Sequence, residues 1–130
     1  MEHITTYTVK ENELDELGHM NYLNYIMKFT SARMEWLKEV GLGFHELVEQ
    51  QLGPVLLKLD TEYSKEVRLG DTVEIRTKLE RVGTKSFTLV QSMYHGDQLS
   101  SSSTAIMTIM DLEKRKAIPV PNEIAQHKSE

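Results

Sequence analysis

The sequence predicts an α+β domain in which an antiparallel sheet of about five strands wraps around one long helix. Two observations indicate this fold. A long segment with a helical repeat of apolar residues begins near Tyr22 and ends at Gly41 and Gly43. After this segment the repeat changes to period two and keeps that period through a series of short turns. Consecutive strands joined by short turns form antiparallel hairpins.

Length and composition fit one globular domain over residues 1–130. Of the 130 residues, 39% are hydrophobic and 27% are charged, as in an ordinary folded protein. The chain has no cysteine, which excludes disulfides and thiolate metal clusters and makes a reducing cytoplasm the simplest location. A net charge of −5 without a basic run argues against nucleic acid as a partner. No secretory signal and no apolar run of roughly 20 residues is present, so no membrane partner is expected.

The first strand and the first loop precede the long helix. Residues 4–10 alternate in polarity and are rich in β-branched side chains, which predicts a strand. The stretch DELGHMN, residues 15–21, then indicates a loop, in which Gly18 can adopt a turn conformation that other residues resist. Asn21 is a good N-cap for a helix that starts at Tyr22.

The long helix is expected to run to about Val40, and a short second helix is expected near residues 44–50. Polar side chains occupy an arc of only roughly 100° of the long helix, and apolar ones spread over roughly 220°. An ordinary surface helix has a narrower apolar stripe, so this helix must be covered on more than half of its circumference. The polar arc comprises Asn24, Lys28, Ser31, Glu35, Lys38 and Glu39.

Four further strands are predicted from the period-two pattern and the turns between its segments. They lie near residues 55–63, 73–80, 86–94 and 99–112. The serine run at residues 100–103 is interpreted as the start of a strand or as a sheet edge.

Arg33 breaks the pattern of the long helix because it projects into the middle of the apolar arc. A charge in this position must either reach water or find a partner. The sequence leaves both outcomes open: Arg33 snorkels along Trp36 or Tyr22, or it forms a fixed ion pair or bonds to carbonyl groups.

The stretch DELGHMNYLNYIMKFTSARMEWL resembles the acyl-CoA thioesterases of the 4-hydroxybenzoyl-CoA thioesterase type. Their signature is an Asp, a Gly three residues later, a small polar cluster and a helix that ends in an Ala-Arg-like pair. The matching positions are Asp15, Gly18, His19, Asn21, Ala32 and Arg33. The resemblance covers essentially the whole chain, including the closing RKAIPVP segment, and implies the hot dog fold.

The resemblance implies an enzyme that hydrolyses the thioester of a small acyl-CoA, with a short-chain or aromatic acyl group, to the free acid and CoA. The identity of the acyl group is open from the sequence, and longer acyl groups are included among the alternatives. Such enzymes carry their catalytic carboxylate either in the loop or in the middle of the helix. This helix has no acid before Glu35, which lies on the polar arc, so the sequence matches the loop design with Asp15. Whether Asp15 attacks the carbonyl or activates water is open, and so is the choice between CoA and acyl carrier protein as the carrier.

The resemblance assigns the oxyanion donor to the backbone amide of Tyr22. A helix N-terminus suits this role, because its free N–H groups carry a partial positive charge. Two roles are open for His19, which either contacts the acyl group or polarises water, or only packs the loop. Gly18 and Asn21 belong to the substrate-binding loop in this interpretation, and Asn21 also fits a simple helix cap.

Coenzyme A carries phosphates, and the resemblance places basic residues for them at the start of the strand after the second hairpin turn. Arg81, Lys85 and Ser86 fill that region, although Arg81 departs in spacing. Lys65 and Arg68 are weaker candidates. No cofactor is expected, and no metal, because Asp15 and His19 lack further ligands at a useful spacing.

Two other functions stay open from the sequence. A dehydratase or hydratase of the same fold would pair His19 with an acid, and a non-catalytic acyl-CoA-binding protein would use the cavity without chemistry. For assembly, we expect a homodimer or homotetramer, since a wrapped sheet leaves edge strands with unpaired backbone groups.

Overall fold

The computed structural model describes residues 2–18 and 20–128. Its elements in chain order are strand β1 (Glu2–Thr8), a 3-10 turn (Glu11–Glu13), helix α1 (Tyr22–Glu39), helix α2 (Phe44–Glu49), strands β2 (Leu52–Tyr63), β3 (Thr72–Val82), β4 (Phe87–His95), β5 (Gln98–Asp111) and β6 (Lys116–Ala117), and helix α3 (Asn122–Ala125). The predicted strands and helices are confirmed to within a few residues at their ends, and the 3-10 turn, β6 and α3 are additions. No helix in the described part of the chain is long and apolar enough to cross a membrane.

One antiparallel sheet contains all the strands, in the order β1-β3-β4-β5-β2, with the short β6 paired to β5. The chain between β1 and β2 therefore crosses one face of the sheet, and it carries α1 across that face. The predicted α+β hot dog architecture is confirmed. The serine run starts a strand, as expected, but it lies in β5, between β4 and β2, and not at a sheet edge.

The core lies between α1 and the inward-facing residues of the sheet, and it has two apolar clusters. One cluster surrounds the second half of α1 and contains the fully buried Trp36 together with Leu79 and Leu89. The other surrounds the first half of α1 and contains Phe29, which is 1% exposed, together with Met20. Alternate residues of β3 and β4 supply both clusters, and alternate residues of β5 supply the cluster around the second half of α1, as the period-two pattern predicts.

A row of polar side chains separates the two apolar clusters. It consists of residues at paired positions in four adjacent strands, Thr77 of β3, Gln91 of β4, Ser103 of β5 and Thr61 of β2. The Thr61 and Ser103 hydroxyls are 3.0 Å apart, and Gln91 Nε2 donates to Thr77 Oγ1 at 3.1 Å. The row therefore contains two hydrogen-bonded pairs of side chains, one between β2 and β5 and one between β3 and β4.

Arg33 lies above this row and does not snorkel to water. Its side chain is only 2% exposed; Nη1 donates to Gln91 Oε1 at 2.9 Å, and Nη2 donates to Thr30 Oγ1 at 3.0 Å. Its Nε has no hydrogen-bond partner in the described part of the chain. Burial lowers the pKa of the guanidinium. Of the two outcomes that the sequence left open, the enclosed one is observed, with an amide oxygen and a hydroxyl as the partners.

The sheet covers about half of α1, which is less than the sequence led us to expect. The buried side chains of α1 are Tyr25, Lys28, Phe29, Ala32, Arg33, Trp36 and Leu37. On the other side Leu23, Met27 and Met34 remain 54%, 64% and 37% exposed. We call these three residues the apolar stripe of α1. Within one chain it has no cover, because the described strands curve around only one side of the helix.

The prediction that Lys28 belongs to the solvated polar arc of α1 was wrong, because Lys28 is only 8% exposed. The helical repeat placed Lys28 among solvated residues. In the structure β1 and the 3-10 turn reach around that side of α1. There the Lys28 ammonium lies 2.8 Å from Glu13 Oε2 and 4.8 Å from the centroid of the Tyr7 ring.

Arg33→Ala is predicted to lower the free energy of unfolding by about 3 kcal/mol, because it leaves Gln91 Oε1 without its donor and opens a cavity. Arg33→Met keeps most of the side-chain volume and removes a buried charge, so its free energy of unfolding should fall by less. Urea unfolding midpoints of the three proteins measure both changes. An Arg33→Ala loss below about 1 kcal/mol would show that the side chain reaches water in solution.

Candidate active site

Asp15 lies in the loop between the 3-10 turn and α1, and the loop holds its carboxylate by a local turn. Asp15 Oδ1 accepts the Leu17 N–H at 2.8 Å, and the Asp15 carbonyl accepts the Gly18 N–H at 3.1 Å. Gly18 has φ +82°, in the left-handed region that favours glycine. The turn predicted at Gly18 is therefore confirmed.

The start of α1 presents backbone N–H groups next to this loop. Asn21 Oδ1 accepts the Leu23 N–H at 2.9 Å, so the capping role of Asn21 is confirmed, and a role in substrate binding stays a prediction. The Tyr22 N–H belongs to the first helical residue and has no acceptor in the helix ladder. Among the described residues, Tyr22 N–H donates to no other acceptor. Its position at the helix N-terminus favours an anionic oxygen.

A cavity of about 280 Å³ opens beside the start of α1. Its lining residues are Asp15, Met20, Tyr22, Tyr25, Tyr63, Ser64, Lys65 and Glu66. Asp15 and Tyr22, two candidates from the sequence, thus line the same cavity. The cavity brings together a carboxylate, which can act as nucleophile or base in acyl transfer, and a helix N-terminus, which can stabilise an oxyanion.

Tyr63, at the end of β2, forms one wall of the cavity, and sequence reasoning did not single it out. Its ring stands edge-on to the Tyr25 ring, with centroids 5.1 Å apart, and its hydroxyl donates to the Tyr22 carbonyl at 3.4 Å. Burial raises the pKa of both Tyr25 and Tyr63. The available signal was the last position of the inward face of β2, which places a side chain at the rim of the core.

Lys65 also lines the cavity, although it was a weaker candidate for coenzyme binding. Its backbone carbonyl accepts the Tyr25 hydroxyl at 3.4 Å, which ties the segment after β2 to α1. The other weak candidate, Arg68, is exposed and its Nε donates to Glu66 Oε1 at 2.7 Å.

Arg81, Lys85 and Ser86 lie around the β3–β4 turn, far from Asp15 within one chain. The residues that flank this turn pack with Trp36 in the cluster around the second half of α1. Asp15 lies beside the first residue of α1, and a helix of 18 residues is roughly 27 Å long. A single chain therefore does not bring the predicted phosphate-binding residues to the cavity.

His19 lies outside the described residues, so both of its predicted roles stay predictions. Within residues 2–18 and 20–128, no group of three or more His, Asp or Glu side chains could hold a metal ion.

Comparison with known families adds to what the fold and the cavity indicate. The thioesterase-like superfamily matches residues 9–127. The chain belongs to this superfamily. The prediction of a thioester hydrolase is confirmed at this level, and membership favours hydrolysis over the dehydratase and binding-only alternatives.

Solved structures share the fold along nearly the whole chain. A hypothetical protein from Staphylococcus aureus, solved in complex with CoA, has a TM-score of 0.93 and 21% identity, with 99% of this chain and 82% of that chain covered. A hypothetical protein from Aquifex aeolicus has a TM-score of 0.87 and 24% identity, with 95% and 97% covered. A 1,4-dihydroxy-2-naphthoyl-CoA thioesterase from Synechocystis has a TM-score of 0.88 and 14% identity, with 100% and 97% covered.

Asn21→Ala is predicted to lower the free energy of unfolding by about 1 kcal/mol, because the Leu23 N–H loses its capping acceptor. Asn21→Ser keeps an acceptor at the cap and serves as the matched control, with a smaller expected loss. Thermal or urea unfolding of the three proteins checks this. Equal losses for Ala and Ser would contradict a capping role in solution.

Proposed function

We propose that this protein hydrolyses the thioester of a small acyl-CoA in the cavity beside the start of α1. The observation that carries the proposal is that Asp15 and Tyr22 line one cavity, with the Tyr22 N–H at a helix N-terminus. Membership of the thioesterase-like superfamily supports the reaction type. The structural neighbours solved with CoA or named as a CoA thioesterase support CoA as the carrier. A cytoplasmic location stays a prediction.

The reaction follows from these two groups. The carbonyl oxygen of the thioester accepts the Tyr22 N–H, and the helix N-terminus stabilises the negative charge that develops on it. The Asp15 carboxylate then attacks the carbonyl carbon and displaces the CoA thiolate, leaving an anhydride that water hydrolyses. In the other route Asp15 takes a proton from a water molecule that attacks the same carbon. Both routes end in a free acid and the CoA thiol.

The cavity favours a small acyl group. Its volume of about 280 Å³ leaves room for a short-chain or aromatic group. The rings of Tyr22, Tyr25 and Tyr63 line it, and aromatic rings offer an apolar face or edge to either kind of group. Gly18 belongs to the loop beside the cavity in this proposal, and a role for His19 in the reaction stays a prediction.

We also propose that two copies pair through β2, which forms one edge of the sheet in the described part of the chain. The Tyr63 end of β2 lies at the cavity. The Leu52 end lies on the side of the β3–β4 turn, since Phe87 pairs with Met107, which pairs with Leu56. Antiparallel pairing about a two-fold axis would set the Leu52 end of one copy beside the Tyr63 end of the other.

This pairing would bring the β3–β4 turn of the second copy toward the cavity of the first. Arg81, Lys85 and Ser86 could then serve the coenzyme phosphates from the other chain, which accounts for their distance from Asp15 within one chain. The apolar stripe of α1 would gain cover at the same time.

Asp15→Asn is predicted to slow acyl-CoA hydrolysis by a factor of at least about 100, because the amide keeps the size of the side chain and lacks its charge and basicity. Binding of acyl-CoA and the free energy of unfolding should change little. Free-thiol release across a panel of short-chain and aromatic acyl-CoAs measures the rate.

Glu16→Gln is the matched control for this substitution, since it removes the same charge from the adjacent, exposed residue. It should stay within about threefold of the parent rate. If Asp15→Asn also stays within about threefold on the best substrate, the assignment of Asp15 is wrong and His19 is the next residue to test.

Light scattering is predicted to show at least two chains per particle. Met27→Asp, on the apolar stripe, should dissociate the assembly and raise KM for acyl-CoA, because the β3–β4 turn of the second copy is lost. Phe44→Asp removes a side chain that is 85% exposed and lies outside the stripe, so it should leave the assembly intact. A wild-type monomer that hydrolyses thioesters at full rate would sink the proposed pairing.

A further inference from the structure

Glu13 joins the two ends of the loop that carries Asp15. Its backbone carbonyl accepts the Asn21 N–H at 2.9 Å and Asn24 Nδ2 at 3.1 Å. Its carboxylate accepts the Lys10 N–H through Oε1 at 2.9 Å. One residue thus contacts the chain before the loop, the residue that caps α1 and the first turn of α1.

Lys28 holds the Glu13 carboxylate from the helix side. Its ammonium lies 2.8 Å from Glu13 Oε2 and stands over the Tyr7 ring at 4.8 Å from the centroid. The two side chains are only 10% and 17% exposed. Exposed ion pairs contribute little because water and salt screen them, but this pair is largely shielded and has a cation–π contact in addition.

The surroundings of the Glu13 carboxyl favour its ionised form. Burial acts to raise the pKa of the Glu13 carboxyl, but the hydrogen bonds from Lys28 and from the Lys10 N–H and the charges of these two lysines outweigh it. The pKa of Glu13 is therefore lowered. Its stabilising effect is present above the ordinary pKa of a glutamate and is lost as the pH falls through the lowered value.

Asp15 and Tyr22 lie within two residues of the groups that this pair fixes. Asp15 follows Glu13 by two positions, and Tyr22 directly follows Asn21, whose N–H is bonded to Glu13. Met20 adds an anchor on the other side, since its N–H donates to the Val67 carbonyl at 2.7 Å. The separation of the Asp15 carboxylate from the Tyr22 N–H is thus set by a short, cross-linked loop.

We propose that Glu13 and Lys28 are positioning residues, which hold the Asp15 carboxylate in register with the Tyr22 N–H for attack on the thioester. This inference rests on the proposed function. Its physical reason is that a displacement of about 1 Å of a reacting group can cost a factor of about 100 in rate. Neither side chain lines the cavity, so both act through the loop and do not touch the substrate.

The first test compares kinetics of single variants. Glu13→Gln and Lys28→Met should each lower kcat by about tenfold and leave KM for acyl-CoA within about twofold, since the cavity itself keeps its lining. Lys28→Arg retains the charge and should recover most of kcat. Glu74→Gln breaks an exposed pair with Arg76 on β3 and is the matched control, with a rate within about twofold of the parent.

The second test places Glu13→Gln in the Asp15→Asn background. If Glu13 acts by positioning Asp15, the double variant should be slower than Asp15→Asn by less than about twofold, because the position of an inactive amide matters little. A further tenfold loss would overturn the proposal and assign Glu13 to another step or to stability alone.

The third test does not depend on activity. Glu13→Gln and Lys28→Met should speed hydrogen exchange of the Asn21 N–H by about tenfold, with the buried amides of β3 and β4 unchanged. Unchanged exchange at Asn21 refutes the positioning role whether or not the enzyme hydrolyses thioesters. Faster exchange in a protein that releases no thiol from any acyl-CoA supports the role of Glu13 and Lys28 in holding the loop and counts against the proposed reaction.

Discussion

The burial of α1 against the sheet is the constraint on which the rest of the structure depends. Trp36 and Phe29 are buried almost completely, and each fully buried large apolar side chain contributes about 1.5–3 kcal/mol. Their clusters hold the first half of the helix, from Tyr25 onward, and the second half. The first turn therefore lies at the margin of the core, with the Tyr22 N–H directed out of the helix ladder and the loop of Asp15 beside it. The cavity forms because the sheet buries most of the length of α1 and leaves its first turn only partly covered.

The polar row fixes where along the sheet the helix sits. Apolar clusters tolerate small slips of a helix, but hydrogen bonds are directional and a buried polar group without a partner is costly. Gln91 accepts from Arg33 Nη1 and donates to the Phe29 carbonyl, so it bonds the helix backbone and a helix side chain together. A slip of one helical turn would break both bonds. The position of Tyr22 relative to β2 follows from this register, about three turns away from Arg33.

The sequence contained the local features of this structure and lacked the distant ones. Strand period, the Asn21 cap and the turn at Gly18 depend on neighbouring residues, and each was predicted. The burial of Lys28 was not predicted, because it depends on contacts with Tyr7 and Glu13. The helical repeat of α1 contains no information about residues outside the helix. The same limit applies to Tyr63. It belongs to β2, far along the chain from the loop of Asp15, and only the folded structure brings the two together at the cavity. Asp15 was reached through family resemblance, since an isolated aspartate before a glycine also fits an ordinary turn.

In the single chain, the uncovered side of α1 and the lack of the predicted phosphate-binding residues at the cavity occur at the same margin of the molecule. The apolar stripe begins at Leu23, directly after Tyr22, so it starts at the rim of the cavity and continues along the helix. Exposed apolar residues in a continuous stripe are unfavourable in water, and β2 beside the cavity is an unpaired sheet edge among the described strands. Among the described residues, Lys65 is the one cation that lines the cavity at the same margin, while Arg81 and Lys85 lie at the far end of the molecule. A partner that covers the stripe would therefore also have to supply the positive charge that a coenzyme requires. In the proposed pairing, a second copy placed about a two-fold axis would supply both, because its far end would be the end that meets the cavity.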